Sequence, residues 1–368
     1  MEDWRKCENL LVVRPDNLGD VLMSSPAIRT LKQSLGCRVT LLTSPAGAEA
    51  AKLLPEIDET ISAALPWVKQ PSTADQQQLA ALVSALRARH FDGCIIFSVY
   101  SQSTLPSAML AWMAGIPRRI AYCRENPYSL LTHWVPDDEP YTRIRHQVVR
   151  DLDLAGHLGA YASDDRITVS VPADAAESAM AKLRHAGVEV GCPFILFHAG
   201  VSEAKRAFPE ARWIALARRT IDTHGVQVLF TGSTTEKLLT DRLQAACGRG
   251  TFSLGGLFDI REFAAVIQRS AVVVSVNTAT PHLAAALGRP LVVLYAQTNP
   301  QHTPWRCRHE VFAFSVLDET SASRNEVIRY VNRTRYKGEK ISLPDPAELS
   351  DAIDVLLREQ GFGKPLNQ

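Results

Sequence analysis

The sequence lacks an excess of charge of either sign, with 40 Lys and Arg against 39 Asp and Glu in 368 residues. This balance provides no bulk electrostatic attraction to nucleic acid. No unbroken apolar run approaches the ~20 residues of a bilayer-spanning helix. The N-terminus also lacks the apolar core of a signal peptide. We therefore expect a cytoplasmic protein that binds no nucleic acid and contacts membranes peripherally at most.

Cysteine pairs and metal-binding motifs are also missing. The seven cysteines are scattered, odd in number and form no CxxC pair, and no HExxH motif occurs. Cys307 and His309 lie close in sequence, but no further candidate ligands accompany them. This pattern is typical of a reducing compartment and gives no reason to expect a metal ion.

What the chain does have is an alternation of short, β-branched apolar runs with helical patterns, which predicts an α/β fold built on parallel sheets. Residues 121–142 contain three prolines and no period, and are predicted to be a loop. The strands are predicted at 10–13, 38–42, 93–99, 194–197, 226–230, 272–276 and 291–295. The helices are predicted at 18–35, 76–89, 172–187, 211–224, 235–247, 260–268, 280–287 and 346–359.

At this length two domains are the default. We predict an N-terminal domain over residues 1–172 and a C-terminal domain over 173–345, with a cleft between them. A last helix within 346–368 could pack back on the N-terminal domain. Clefts between domains are common places for ligands.

The first candidate site is the segment from Arg14 to Leu31, RPDNLGDVLMSSPAIRTL. A predicted strand ends before it, and the turn contains Asn17 and Gly19. In a parallel sheet this edge is where ligands bind, and Gly19 permits close backbone approach or a positive φ. Asp20 either faces the cleft as a general base or caps the helix and complements its dipole. For an isolated Gly-Asp pair, capping is the commoner role.

The second candidate is the segment from Phe197 to Trp213, FHAGVSEAKRAFPEARW. Small residues follow a strand and precede the basic pair Lys205 and Arg206. Backbone N–H groups with a nearby cation suit a phosphate or pyrophosphate. The alternative is a solvated surface loop.

The third candidate is the turn Asn277-Thr278-Ala279, between a strand and an Ala-rich helix. A helix N-terminus there offers N–H donors to an anion. His282 lies in the first turn, where the helix dipole disfavours its protonation. The alternative is an N-cap threonine and a buried structural histidine.

Five segments in order resemble the motifs of glycosyltransferase family 9, whose best-known members are ADP-heptose:lipopolysaccharide heptosyltransferases. The resemblance covers roughly residues 9–302, and His146–Gly159 is similar to the helix that precedes the family's interdomain linker. The segments are RPDNLGDVLMSSPAIRTL, HAGVSEAKRAFPEARW, LFTGSTTEK, LGGLFDIREFAAVI and NTATPHLAAALGRPLVVLYAQTNP.

The resemblance implies the GT-B fold, in which two Rossmann-like domains with parallel sheets face each other across a cleft. The first domain would bind the acceptor and the second the nucleotide sugar. It implies metal-independent, inverting transfer without a cofactor. The donor would be ADP-heptose and the acceptor a glycan or glycolipid such as lipopolysaccharide inner core, reached from the cytoplasmic face of the inner membrane.

The resemblance also implies roles for particular residues. Asp20 matches the family's catalytic base, which overrides the preference for capping. The cation that stabilises the leaving group is Lys205 when counted from His198 and Arg206 when counted from Pro209; we favour Lys205 slightly. Glu236 would bind ribose, and Leu257 and Phe258 would pack on the base. The remaining implied donor- or acceptor-site residues are Asn17, Gly19, His198, Ala199, Gly200, Ser202, Gly232, Asn277, Thr278, Ala279 and His282.

One departure concerns the donor sugar. The family usually has Asp-Ser/Thr-Gly where this chain has Asn277-Thr278-Ala279, so a carboxylate charge is lost and a methyl group is added. Another nucleotide sugar, a small-molecule acceptor, an epimerase and a non-catalytic nucleotide-sugar binder therefore remain alternatives. Five arginines in the first half either meet an acidic acceptor or solvate a surface: Arg118, Arg119, Arg124, Arg143 and Arg145.

Overall fold

The computed structural model describes residues 4–68, 75–296, 299–315 and 325–362. The chain forms two compact units. The first contains the described residues up to Thr168, together with Pro300–Thr303 and Asn325–Tyr330, and the second contains the other described residues. The change at Thr168 falls near the predicted boundary at 172. No sequence pattern indicated the two short segments that return to the first unit.

The first unit is built on a six-stranded parallel sheet in the order β3-β2-β1-β4-β5-β6. Its central strands are apolar and buried, as expected when helices cover both faces. The strands are β1 Asn9–Arg14, β2 Arg38–Thr43, β3 Glu59–Ser62, β4 Gly93–Ile96, β5 Arg118–Cys123 and β6 His133–Pro136. The helices are α1 Leu18–Leu35, α2 Pro45–Ala51, α3 Gln76–Arg87, α4 Leu105–Met113 and α5 Gln147–Gly156.

The second unit repeats this plan, with a parallel sheet in the order β12-β11-β10-β7-β8-β9. The strands are β7 Phe194–His198, β8 Gln227–Thr231, β9 Thr251–Ser253, β10 Val272–Val276, β11 Leu291–Ala296 and β12 His309–Phe314. The helices are α6 Ala173–His185, α7 Glu210–His224, α8 Lys237–Cys247, α9 Ile260–Arg269, α10 Thr280–Ala286 and α12 Pro346–Glu359, and α11 Glu326–Arg335 runs from the first unit into the second.

Both sheets reverse their strand order beside the first strand of the unit. The reversal lies between β1 and β4 in the first sheet and between β7 and β10 in the second. In open α/β sheets, ligands bind outside the carboxyl ends of the strands at this switch point. The prediction of an α/β fold with two Rossmann-like units is therefore confirmed.

The strands that the sequence did not predict are β5 and the four edge strands β3, β6, β9 and β12. An edge strand is covered less completely, so it does not need a continuous apolar run. The segment 121–142, predicted to be a loop, contains the end of β5 and all of β6. Pro136 is tolerated there because β6 is at the edge of the sheet.

The expected packing of the C-terminal helix on the N-terminal domain is wrong. Helix α12 buries Leu349, Ile353, Leu356 and Leu357 in the core of the second unit, where it packs against α7. Their spacing forms one apolar stripe on the helix, and the second unit provides the surface that covers it. Among the described residues, no helix is both long and apolar enough to cross a bilayer.

Candidate functional site

The switch point of the first sheet holds a capped helix start. Asn17 is the N-cap of α1, and Asp20 is the third helical residue. Asp20 Oδ2 accepts a hydrogen bond from the Asn17 N–H at 3.2 Å, so Asp20 contributes to the capping box at the start of α1. Its Oδ1 lies 3.3 Å from Nη2 of Arg14, and the side chain is 17% exposed. Gly19 is buried with helical backbone, so the alternative of a positive φ does not occur.

A buried ion cluster lies behind Asp20. Arg14 ends β1 and is fully buried, and its Nε lies 3.2 Å from Oδ2 of Asp16. Gln102, which follows β4, donates from Nε2 to the other Asp16 oxygen at 2.6 Å. This bond joins the loops on the two sides of the switch point. Burial raises the pKa of Asp16 to about 6, against the lowering effect of Arg14.

Asp151 of α5 adds a third carboxylate near Arg14. It is buried and accepts hydrogen bonds from Ser24 Oγ at 2.6 Å and from Gln147 Nε2 at 2.7 Å. Burial raises its pKa, although Arg14 acts in the opposite direction. Burial works to lower the pKa of Arg14, but the three carboxylates outweigh it and the pKa is raised. The arginine therefore remains charged.

The switch point of the second sheet begins at His198, the last residue of β7. Its Nδ1 lies 3.2 Å from the Thr231 hydroxyl at the end of β8, and its ring packs against Phe263. Burial lowers the pKa of His198, against the attraction of Glu236. The imidazole is therefore neutral at pH 7, and its contacts tie the ends of two neighbouring strands together.

Glu236 lies over two glycines. A Cβ built on Gly200 would overlap its carboxylate, and one on Gly232 would come within 2.9 Å of its Cβ. Its Oε2 accepts hydrogen bonds from the Ser233 N–H at 2.7 Å and the Ser233 hydroxyl at 2.9 Å. The carboxylate is thus fixed above the turn that follows β7. Both glycines are required for its close approach.

The basic pair of the second segment shares one counterion. Glu203 Oε2 lies 3.1 Å from Nζ of Lys205, and Oε1 lies 2.8 Å from Nη2 of Arg206. Arg206 also donates from Nη1 to the carbonyl oxygen of Asn277 at 3.4 Å. Arg206 therefore links the loop after β7 to the turn after β10, which is the other side of the switch point.

The turn between β10 and α10 contains Thr278, whose hydroxyl accepts from the Thr280 N–H at 3.4 Å. Ala279 takes the N-cap position and provides no side-chain acceptor. His282 is 3% exposed in the first turn of α10.

The other predicted donor-site residues lie beside this edge. Ala199 is buried and Ser202 is exposed. Leu257 and Phe258 are half-buried and follow Gly256, whose N–H donates to the carbonyl of Gly232 at 2.8 Å.

Sequence reasoning did not single out several groups that complete these sites: Arg14, Asp16, Gln102, Asp151 and Glu203. Asp16 and Gln102 follow strand ends, the same signal that identified the other candidates. Two of the five arginines are not surface groups. Arg119 donates to backbone carbonyls, including that of Leu130 at 2.7 Å, and Arg145 forms an ion pair with buried Glu139 at 2.7 Å. In the described parts of the chain, no three His, Cys, Asp or Glu side chains are grouped to hold a metal ion.

Comparisons with known proteins show the family and the fold of this chain. The family model of Glycosyltransferase family 9 (heptosyltransferase) matches residues 79–330. Lipopolysaccharide heptosyltransferase 2 of Escherichia coli K12 is 26% identical, over 80% of this chain and 84% of its own. The crystal structure of a family 9 glycosyl transferase from Veillonella parvula superimposes with a TM-score of 0.77 at 17% identity, over 97% of this chain and 99% of the other. An E. coli heptosyltransferase solved with ADP has a TM-score of 0.61 at 19% identity, over 89% and 98%.

Proposed function

Since the chain belongs to glycosyltransferase family 9, we propose that it transfers a heptose from ADP-heptose to a glycan acceptor such as lipopolysaccharide inner core, with inversion at the anomeric carbon. Family membership makes it a glycosyltransferase with the GT-B fold. The relatives are heptosyltransferases of lipopolysaccharide, and one structural neighbour was solved with ADP. We further propose that the acceptor is met at the cytoplasmic face of the inner membrane.

The observation that carries the proposal is the arrangement at the switch point of the second sheet. Glu236 is held over Gly200 and Gly232, with Oε2 bonded to Ser233. A carboxylate fixed in this way can accept hydrogen bonds from the two ribose hydroxyls. The neighbouring glycine allows the backbone to approach a phosphate closely.

The leaving diphosphate gathers negative charge as the sugar–phosphate bond breaks, and cations and backbone N–H groups can offset that charge without a metal. Arg206 and Lys205 supply the cations. We now favour Arg206 for the closer contact, because its guanidinium already reaches the Asn277 carbonyl across the switch point. Thr278, Ala279 and His282 would lie along the diphosphate and the sugar.

The proposed reaction needs a base for the acceptor hydroxyl. Its oxygen attacks the anomeric carbon, the bond from that carbon to the diphosphate oxygen breaks, and the proton passes to the Asp20 carboxylate. ADP leaves with the bonding electron pair, so the configuration inverts. Asp20 is suited to this role because 17% of its side chain stays exposed while Asn17 and Arg14 fix its orientation.

The test compares Asp20→Asn with Asp164→Asn, which removes an exposed carboxylate paired with Arg166 in the same unit. We expect Asp20→Asn to lower transfer about 10²–10⁴-fold, the range for loss of a general base, and to leave ADP affinity within about twofold. Asp164→Asn should change neither. Transfer that survives Asp20→Asn would reject Asp20 as the base.

A second candidate is favoured by one observation, the neutral Asn277 in place of the family's usual acid. That loss of charge favours a donor other than ADP-heptose, or nucleotide-sugar binding without transfer. Mass spectrometry of incubations with a panel of nucleotide sugars and cell-envelope glycolipid separates these outcomes. A glycolipid product from ADP-heptose supports the main proposal. An isomerised sugar nucleotide without acceptor, or binding without any product, would replace it.

A further inference from the structure

Three carboxylates surround one buried guanidinium at the switch point of the first sheet. Arg14 is fully buried and forms ion pairs with Asp16 and Asp20, and Asp151 acts on it electrostatically. Arg150 also affects Asp151, but it is bonded through both Nη groups to Asp137. Arg14 therefore interacts with three acids.

These three carboxylates are not equivalent. Asp16 accepts a hydrogen bond from Gln102 at the oxygen that does not face Arg14. Asp151 accepts hydrogen bonds from Ser24 and Gln147. The Asp16 and Asp20 side chains are 6% and 17% exposed, so Asp20 is the one that solvent reaches more easily. Asp20 Oδ1 accepts a hydrogen bond from Nη2 of Arg14 at 3.3 Å.

An arginine divided in this way has two consequences for Asp20. The Arg14 guanidinium fixes the orientation of the Asp20 carboxylate, because Nη2 contacts one of the carboxylate oxygens. At the same time Arg14 stabilises the ionised form of Asp20 less strongly, because Asp16 and Asp151 interact with the same guanidinium. A carboxylate beside a fully available arginine would be a much weaker base, since an opposite charge at short range favours the ionised form.

We propose that Arg14 is a positioning residue for the Asp20 carboxylate, and that Asp16, anchored by Gln102 across the switch point, limits the neutralising effect of Arg14 so that Asp20 retains its basicity. This inference rests on the proposed function, in which Asp20 takes the acceptor proton. Asp16 and Gln102 touch neither substrate in this scheme. They act through Arg14 and through the direct charge repulsion between Asp16 and Asp20.

The central experiment measures kcat and KM from pH 5 to 9 for the full-length protein and for Asp16→Asn, with ADP-heptose and cell-envelope glycolipid. Removing the Asp16 charge leaves Arg14 to neutralise Asp20 more fully. We expect kcat to fall about threefold to tenfold above about pH 6, where Asp16 of the parent is ionised, and to approach the parent value below that pH, where Asp16 of the parent already carries a proton. The KM for ADP-heptose should stay unchanged, because that ligand is assigned to the other unit.

A second variant keeps every ionisable side chain of the cluster. Gln102→Leu removes the hydrogen bond that favours ionised Asp16, so Asp16 carries a proton up to higher pH. We expect the same direction of change as in Asp16→Asn, with smaller amplitude. This variant also tests the proposal if Asp16→Asn fails to fold, and Asp164→Asn is the matched control for both.

A structural role alone would lower folded protein or kcat by the same factor at every pH. If the profiles of Asp16→Asn and Gln102→Leu superimpose on the parent profile after scaling, the inference is overturned. The Asp20→Asn variant separates this failure from that of the proposed function. An inactive Asp20→Asn with unshifted profiles rejects only the role of Asp16 and Gln102, whereas an active Asp20→Asn rejects Asp20 as the base.

Discussion

The carboxylate of Glu236 occupies the space that a side chain at Gly200 would need. The two residues lie far apart in sequence, yet the parallel pairing of β7 with β8 brings the loops that follow these strands together. Glu236 therefore acquires its position from a glycine on another loop. Nucleotide binding should depend on that glycine.

Gly200→Ala should force the Glu236 carboxylate away from Ser233 and weaken ADP binding about tenfold, equivalent to about 1.4 kcal/mol. The loss of capping at the start of the following helix should cost about 1 kcal/mol of unfolding free energy. Isothermal titration with ADP measures the first effect. Gly191→Ala is the control, because a Cβ at Gly191 meets nothing within 4 Å. Equal ADP affinity in both variants would contradict the assignment of Glu236.

The two candidate cations can be separated by single substitutions. Arg206→Ala should weaken ADP binding more than Lys205→Ala, because only Arg206 is seen to reach the Asn277 carbonyl. A ratio of about threefold or more between their ADP dissociation constants is expected, and titration at constant ionic strength measures it. If Lys205→Ala weakened ADP binding more than Arg206→Ala, Lys205 would be the cation that stabilises the leaving diphosphate, as counting from His198 favours.

In the proposed donor site, Glu203 would compete with an incoming diphosphate for both cations. Glu203→Gln removes this competitor, so ADP binding should tighten about twofold to fivefold, in keeping with the modest strength of partly exposed ion pairs. Glu210→Gln is the control, since it disrupts an exposed pair with Arg242 in the same unit. Weaker ADP binding by Glu203→Gln would show that Glu203 supports the site.

The ion network around Glu139 should contribute to the stability of the first unit. Glu139 is fully buried, pairs with Arg145 at 2.7 Å and accepts from Gln301 Nε2 at 2.6 Å. Glu139→Gln removes the buried charge that pairs with Arg145, although Arg145 keeps its pair with Asp153 at 2.6 Å. The change should lower the unfolding free energy by about 1–3 kcal/mol. Urea unfolding followed by circular dichroism measures the change. A loss under about 1 kcal/mol, as for a surface pair, would contradict this expectation.

The stability of the first unit should also depend on pH through Asp16. Burial raises its pKa in the folded protein from the ordinary 3.8 to about 6, so folding favours the protonated form. The stabilisation is fully present below pH 3.8 and is lost as the pH rises through 6. The unfolding free energy of the parent, minus that of Asp16→Asn, should therefore rise as the pH falls from 7 to about 4.5.

Asp164→Asn is the control for this pH dependence. Its hydrogen bonds with Arg166 lower the pKa of Asp164 to about 2. A group with that pKa stays ionised from pH 7 to about 4.5, so its difference from the parent should be nearly flat. A flat difference for Asp16→Asn as well would contradict the raised pKa.

Many of the residues at the carboxyl edge of the second sheet could be singled out from the sequence because they follow buried central strands. The apolar runs of β7, β8 and β10 are continuous, and the small and polar residues after them stand out by contrast. The edge strands escaped prediction since one side of each is unpaired and their sequences are mixed. Helix α12 was assigned to the wrong partner because an apolar stripe shows that a helix is covered, but not which surface covers it.

Local pattern and position after a strand identified Asp20 and the Lys205-Arg206 pair as candidates, because both are properties of the chain itself, and the family resemblance added Glu236. The sequence alone could not reveal that Asp16 and Asp151 share Arg14 with Asp20, or that Gly200 makes room for Glu236. Those relationships depend on which strands become neighbours. Distances of about 3 Å between residues remote in sequence arise only when the sheet has brought them together.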